Sequence, residues 1–144
     1  MTTTAISESL HRLTHAYKSA LRESIQDQGI PLPITHIRAL KAICRNPAST
    51  PQSIATRMRR DKAQITRVLN ELQQTGLILK LDNPNDRRSQ LLRPSPEGER
   101  IMARLNELEQ ETVARMTQHL SPNALETFIS VARTMTDNLG EKTE

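Results

Sequence analysis

The sequence predicts a mainly α-helical fold with one small β-hairpin, on three observations. Apolar residues recur every three or four positions through both ends of the 144-residue chain. Thr50-Pro51, Ser95-Pro96 and Ser121-Pro122 each offer a capping hydroxyl followed by a proline suited to the first helical position. Only residues 77–81 and 89–93 read as strands, and the polar, turn-rich stretch between them suits a long hairpin loop.

The elements follow in order. Ile6, Leu10, Leu13, Tyr17, Leu21 and Ile25 form one stripe of a long amphipathic first helix. Gly29, Pro31 and Pro33 end it, and a second helix carries Ile34, Ile37, Leu40 and Ile43. Asn46-Pro47 closes that helix, because the residue before a proline disfavours the α region. Thr50-Pro51 opens a short third helix with Ile54, Ala55 and Met58 inward. After Arg59-Arg60-Asp61 comes a fourth, capped by Asp61, with Ile65, Val68, Leu69 and Leu72 inward and Gly76 ending it in a left-handed turn. The hairpin comes next. Ser95-Pro96 starts a long helix through Ile101, Leu105, Leu108, Val113, Met116 and Leu120. Ser121-Pro122 starts the last, through Leu125, Phe128, Ile129, Ala132, Met135 and Leu139. The order is α-α-α-α-β-β-α-α, without internal repeats.

Composition removes several function classes. The apolar fraction is 35%, below the usual ~45–50% even with glycine added, so part of the apolar surface is expected to be buried against a second subunit. No stretch approaches a membrane span, and the opening residues lack a basic segment followed by an apolar run, so the expectation is a cytoplasmic protein without signal peptide or membrane contact. The single cysteine, Cys44, cannot form an internal disulfide and has no neighbour at metal spacing. Two aromatic residues, Tyr17 and Phe128, are too few for a single-strand binder that stacks bases. No nucleophile–histidine–carboxylate pattern and no glycine-rich phosphate loop is present, so no catalytic residues, no cofactor and no enzyme activity are expected.

Charge points elsewhere. Residues 57–93 hold nine basic and four acidic residues, a net of +5, while the remainder of the chain is −1. Such concentration is the footprint of a polyanion binder, although a charge run alone is equally often a solvated face. Two short helices joined by a tight connection, residues 51–58 and 62–75, make a helix-turn-helix. Lys62, Gln64, Thr66, Arg67 and Asn70 are left facing outward on the second of them. Arg and Lys suit guanine acceptors, Gln and Asn suit adenine, and Thr suits a thymine methyl or a phosphate. Thr50, Gln52 and Arg60 flank this helix and complete the expected DNA-binding set. The hairpin would then be a wing, with Arg87 and Arg88 at its tip reaching a minor groove. Asp86 is expected to orient one of these arginines through a charge-assisted hydrogen bond. The alternative is a winged-helix module docking an acidic protein partner.

The run DKAQITRVLNELQQTGLILKLDNPNDRRSQLLRPSPEGE resembles the recognition helix, wing and following helix start of the MarR family of bacterial transcription regulators. The upstream LPITHIRALKAI and TPQSIATRM are similar to that family's second and third helices, so the likeness runs over roughly residues 30 to 100. Its strongest element is Asn85-Asp86-Arg87-Arg88, followed by Leu91-Leu92 and by Ser95-Pro96-Glu97-Gly98. The family more often has leucine-threonine where this chain has Pro94-Ser95, and Ser95 keeps the capping hydroxyl. The resemblance implies a winged helix-turn-helix whose terminal helices form a dimerisation domain. On that pattern residues 1–30 are a dimerisation helix, 31–98 the winged DNA-binding region and 99–144 further dimerisation helices. It also implies a homodimer on a pseudo-palindromic site in double-stranded DNA, usually as a repressor, with half-sites about 10 base pairs apart.

For an effector, the resemblance implies a small aromatic or carboxylate ligand between the dimer helices and the winged region. Candidate contacts are His36 and Arg38 at the start of the second helix, and His11 and His15, which share a face of the first. The two histidines have ligand spacing but no third partner, so no metal site is expected. Cys44, on the apolar stripe, reads as a buried thiol, with a redox-sensing regulator as the alternative.

Overall fold

The computed structural model describes residues 2–140, and its elements follow the expected order. They are α1 (Thr2–Asp27), α2 (Ile34–Arg45), α3 (Pro51–Met58), α4 (Lys62–Gln74), β1 (Ile78–Asp82), β2 (Gln90–Pro94), α5 (Pro96–Met116) and α6 (Pro122–Asn138). The capping signals behave as their chemistry dictates. Thr50 Oγ1 accepts from the Ser53 N–H at 3.1 Å while Ser53 Oγ accepts from the Thr50 N–H at 2.9 Å, a reciprocal capping box. Ser95 Oγ accepts from the Gly98 N–H and Ser121 Oγ from the Ala124 N–H. Asp61 stands at the N-cap of α4 but its carboxylate makes no capping bond. The first-turn N–H groups of α4 therefore go without that partner.

The two strands each lie one residue later than the sequence suggests, pairing antiparallel from Ile78 opposite Pro94 to Asp82 opposite Gln90. Leu77 is committed to the wing root instead. Its N–H donates to Leu72 O at 2.9 Å and its carbonyl accepts from the Ser95 N–H at 2.9 Å. Ser89 stays in the turn, donating to Asp86 O. Pro94 sits at the end of the ladder, where a missing donor is tolerated.

One apolar core runs through the molecule. Leu40 and Ile43 of α2, Ile54 of α3, Ile65, Leu69 and Leu72 of α4, Ile78 and Leu92 of the hairpin and Leu108 of α5 are all almost wholly buried. Each such side chain contributes roughly 1.5–3 kcal/mol by leaving water. The loop before α3 is tied to the hairpin as well, because buried Ser49 accepts from the Leu92 N–H through its carbonyl at 2.9 Å. Helix pair and wing are thereby one packed unit.

The ends differ. Among the described side chains of α1 only Ile25, near its C-terminus, is buried, and α6 buries none of its residues. Ile6, Leu10, Leu13, Val113, Met116, Leu120, Phe128, Ile129, Met135 and Leu139 are exposed. No described helix is long and apolar enough to cross a membrane.

Candidate nucleic-acid interface

The connection between α3 and α4 is tight because Arg59 adopts the left-handed conformation, with φ of 51°. Its N–H returns to Thr56 O and the Arg60 N–H to Ala55 O. A non-glycine residue pays about 1–2 kcal/mol for this geometry. The turn brings Arg59 and the expected Arg60, both exposed, to the entrance of α4.

With Ile65, Val68, Leu69 and Leu72 buried, the opposite side of α4 presents Ala63, Arg67, Asn70 and Gln74, all exposed. Lys62, Gln64 and Thr66 are exposed on its flanks. Ala63 escapes a search for charged and polar base-readers, and Gln74 lies outside the expected set at the far end of the helix, yet the 63/67/70/74 spacing, complementary to the buried set, identifies both. Ala63 suits a thymine methyl. Thr66 donates its hydroxyl to Lys62 O at 2.8 Å, so that donor is used inside the helix. Asn70 accepts at Oδ1 from Lys80 Nζ of β1, at 2.6 Å. Thr50 spends its hydroxyl on the α3 cap, while Gln52 is exposed in the first turn of α3.

The wing tip is built from two side-chain turns. Asn83 Oδ1 accepts from the Asn85 N–H and Asp86 Oδ1 from the Arg88 N–H, each at 2.9 Å. The expected Asp86–arginine bond is thus made to the main chain rather than to a guanidinium. An Asp side chain reaches the N–H two residues on more readily than it reaches the end of a long exposed side chain. The carboxylate shapes the tip, and Arg87 and Arg88 are exposed there.

The candidate effector residues separate. His36 Nε2 and Glu71 Oε2 of α4 are 2.5 Å apart, and His36 Nδ1 is buried without a partner. The tautomer with its proton on Nε2 donates to the carboxylate and leaves only a lone pair unpaired. His11 and His15 are exposed on α1. None of the three lines the cavity of about 510 Å³ between α1, α2 and α5, whereas Arg38 does. Its apolar wall includes Leu21, Ile25, Ile37, Met102 and Leu105, and Lys18, Arg22, Arg38 and Lys41 supply cations. Lys41 is paired with Glu109 at 3.1 Å. Tyr17 also lines it. Burial, then the Glu109 charge and a hydrogen bond with Glu109, raise its phenol above the usual pKa. Cys44 is half-buried, and burial, followed by the Glu99 charge, raises its thiol pKa. No cluster of three metal-ligating side chains occurs among the described residues.

Comparison with known proteins accords with this geometry. Residues 32–90 match the model of the MarR family. A protein of Thauera aromatica described as a transcriptional regulatory protein for the hcr operon is 33% identical over 82 residues, which cover 57% of this chain and 47% of that protein. The chain thus spans about half the length of that relative. The HTH-type transcriptional regulator YwhA of Bacillus subtilis is 26% identical over 123 residues, 84% of this chain and 87% of the relative. Among solved structures, a MarR family protein from Bacillus stearothermophilus superposes with a TM-score of 0.86 at 17% identity, covering 97% of this chain and 96% of the other.

Proposed function

The chain belongs to the MarR family through its winged helix-turn-helix, residues 32–90, and from that membership we propose that it is a transcription regulator that binds double-stranded DNA as a homodimer and lets go when a small anionic ligand fills the α1–α2–α5 cavity. The observation that carries the DNA reading is the continuous outward surface of α4 and the wing. Arg67 stands on the helix, Arg87 and Arg88 at the exposed tip, and the shared core behind them makes the two parts move together. Lys62, Gln64 and Arg67 are assigned to base edges, Gln52 and Arg60 to phosphates, and the wing arginines to the neighbouring minor groove.

The homodimer is supported by area. A compact monomer of this mass exposes about 7,500 Å², whereas this chain exposes 10609 Å². The excess is of the order that an obligate dimer covers, and it includes the apolar faces of α1, α5 and α6. The ligand class follows from the cavity lining. An apolar body fits against Leu21, Ile37 and Met102, and a carboxylate fits Arg22 or Arg38, since Lys41 already has Glu109.

Fluorescence anisotropy on the promoter region upstream of the chain's own gene, against a scrambled duplex of equal length across a salt series, tests the main reading. Specific binding that weakens about 10³-fold between roughly 50 and 200 mM salt is expected for a dimer making about six phosphate contacts. Absence of binding at low salt to any duplex would refute it. Salicylate serves as the probe of the cavity: it is expected to lower promoter affinity in the unaltered chain and to lose that effect in Arg38→Ala.

A further inference from the structure

Asn70 and Lys80 form a unit that outward-facing chemistry alone does not reveal. On β1, Ile78, Lys80 and Asp82 share one face; Ile78 is buried, and Leu92, directly across from Lys80, is fully buried. This is the face packed toward the core, so the lysine stem leaves the strand on the α4 side. Its ammonium ends 2.6 Å from Asn70 Oδ1, one helical turn beyond Arg67. A cation is therefore held in the cleft between the recognition helix and the wing.

We infer that Lys80 contacts a DNA phosphate and that Asn70 is the residue that positions it rather than a reader of a base. The inference rests on the duplex binding proposed above. When a helix lies in the major groove and the wing reaches the adjacent minor groove, the phosphate strand dividing the two grooves passes through that cleft. An ammonium has three donors; one goes to Asn70 and two remain for phosphate oxygens. Pairing of asparagine with adenine needs its oxygen to accept from N6 while its amide donates to N7. The oxygen adenine would need already accepts from Lys80, so N6 would have to use its second lone pair beside an ammonium that is itself drawn to phosphate. Holding the lysine in place also reduces the rotamer freedom it loses on binding.

The test uses the full chain and a duplex selected by the unaltered protein from a random-sequence pool, with each base pair of the site then varied singly. Lys80→Gln is expected to weaken binding several-fold on every duplex alike and to reduce the slope of log affinity against log salt by about one per half-site. Lys80→Arg should restore most of that slope. Asn70→Ala should weaken binding uniformly without relaxing any single position, and the double variant should bind no more weakly than Lys80→Gln alone. Arg67→Ala, which relaxes one position, is the base-reading comparison. Relaxed preference at one base pair in Asn70→Ala, an unchanged salt slope in Lys80→Gln, or additive losses in the double variant would each overturn the inference while leaving DNA binding intact. Selection that enriches no sequence in the unaltered protein, together with salt-insensitive binding, would remove the DNA reading itself and this inference with it.

Discussion

At Gly98 a single hydrogen atom is all the fold accommodates. A Cβ built there would lie 2.1 Å from the Leu77 carbonyl oxygen, a main-chain atom that also accepts from the Ser95 N–H. Neither side can yield without opening the wing root. Gly98→Ala is expected to destabilise the chain by about 2 kcal/mol or more, read as a lowered urea midpoint with unchanged slope. A variant as stable as the parent would show that the helix start and the wing are not in contact. Cys44 illustrates how burial decides chemistry. Its folded pKa lies above the usual thiol value, so the native protein holds the thiol proton to higher pH than the unfolded chain does. Near neutral pH, labelling by a disulfide reagent should be slower in the native state than in urea, and the native rate should climb only at more alkaline pH. Fast native labelling at pH 7 would instead support a redox-sensing role.

On the proposed function, α4 and the wing divide the work between elements. The recognition helix would carry sequence preference, its exposed side chains standing where base edges lie, and the wing would carry affinity, its arginines meeting a groove poor in sequence information. Arg67→Ala is expected to cost about 1–3 kcal/mol and to relax preference at one position. Arg87→Ala and Arg88→Ala should reduce affinity on all sites while major-groove preference is kept. Competition binding against singly substituted duplexes separates these outcomes; preference lost through the wing variants would invert the assignment. The existence, order and type of these elements were legible in the sequence, since capping hydroxyls, prolines and apolar spacing act over a few residues. The strand limits were not, because Leu77 and Ser89 are drawn into the wing-root and tip turns by partners in the folded chain.

For the whole molecule, the unburied faces of the terminal helices dominate. Phe128 and Ile129 remain 55% and 54% exposed on α6, an apolar surface that a soluble monomer rarely leaves uncovered. Phe128→Asp should leave the subunit core intact, as that side chain contributes nothing to it, and should shift sedimentation toward monomer. Promoter affinity should fall with it, because two linked recognition helices bind far more tightly than one. A variant that still sediments as a dimer would place the interface elsewhere.

The sequence by itself determined the helix order, the hairpin, the Thr50, Ser95 and Ser121 caps and the concentration of positive charge in the middle of the chain. Each of these follows from neighbours within a turn or two. Only the tertiary structure decided which polar groups meet: His36 with Glu71, Asn70 with Lys80, and Lys41 with Glu109 across 68 positions. It also decided that Arg38, and not His36, faces the cavity between α1, α2 and α5. Such pairs depend on the angles at which helices pack, and those angles are set by the shapes of buried side chains acting together rather than by any local pattern.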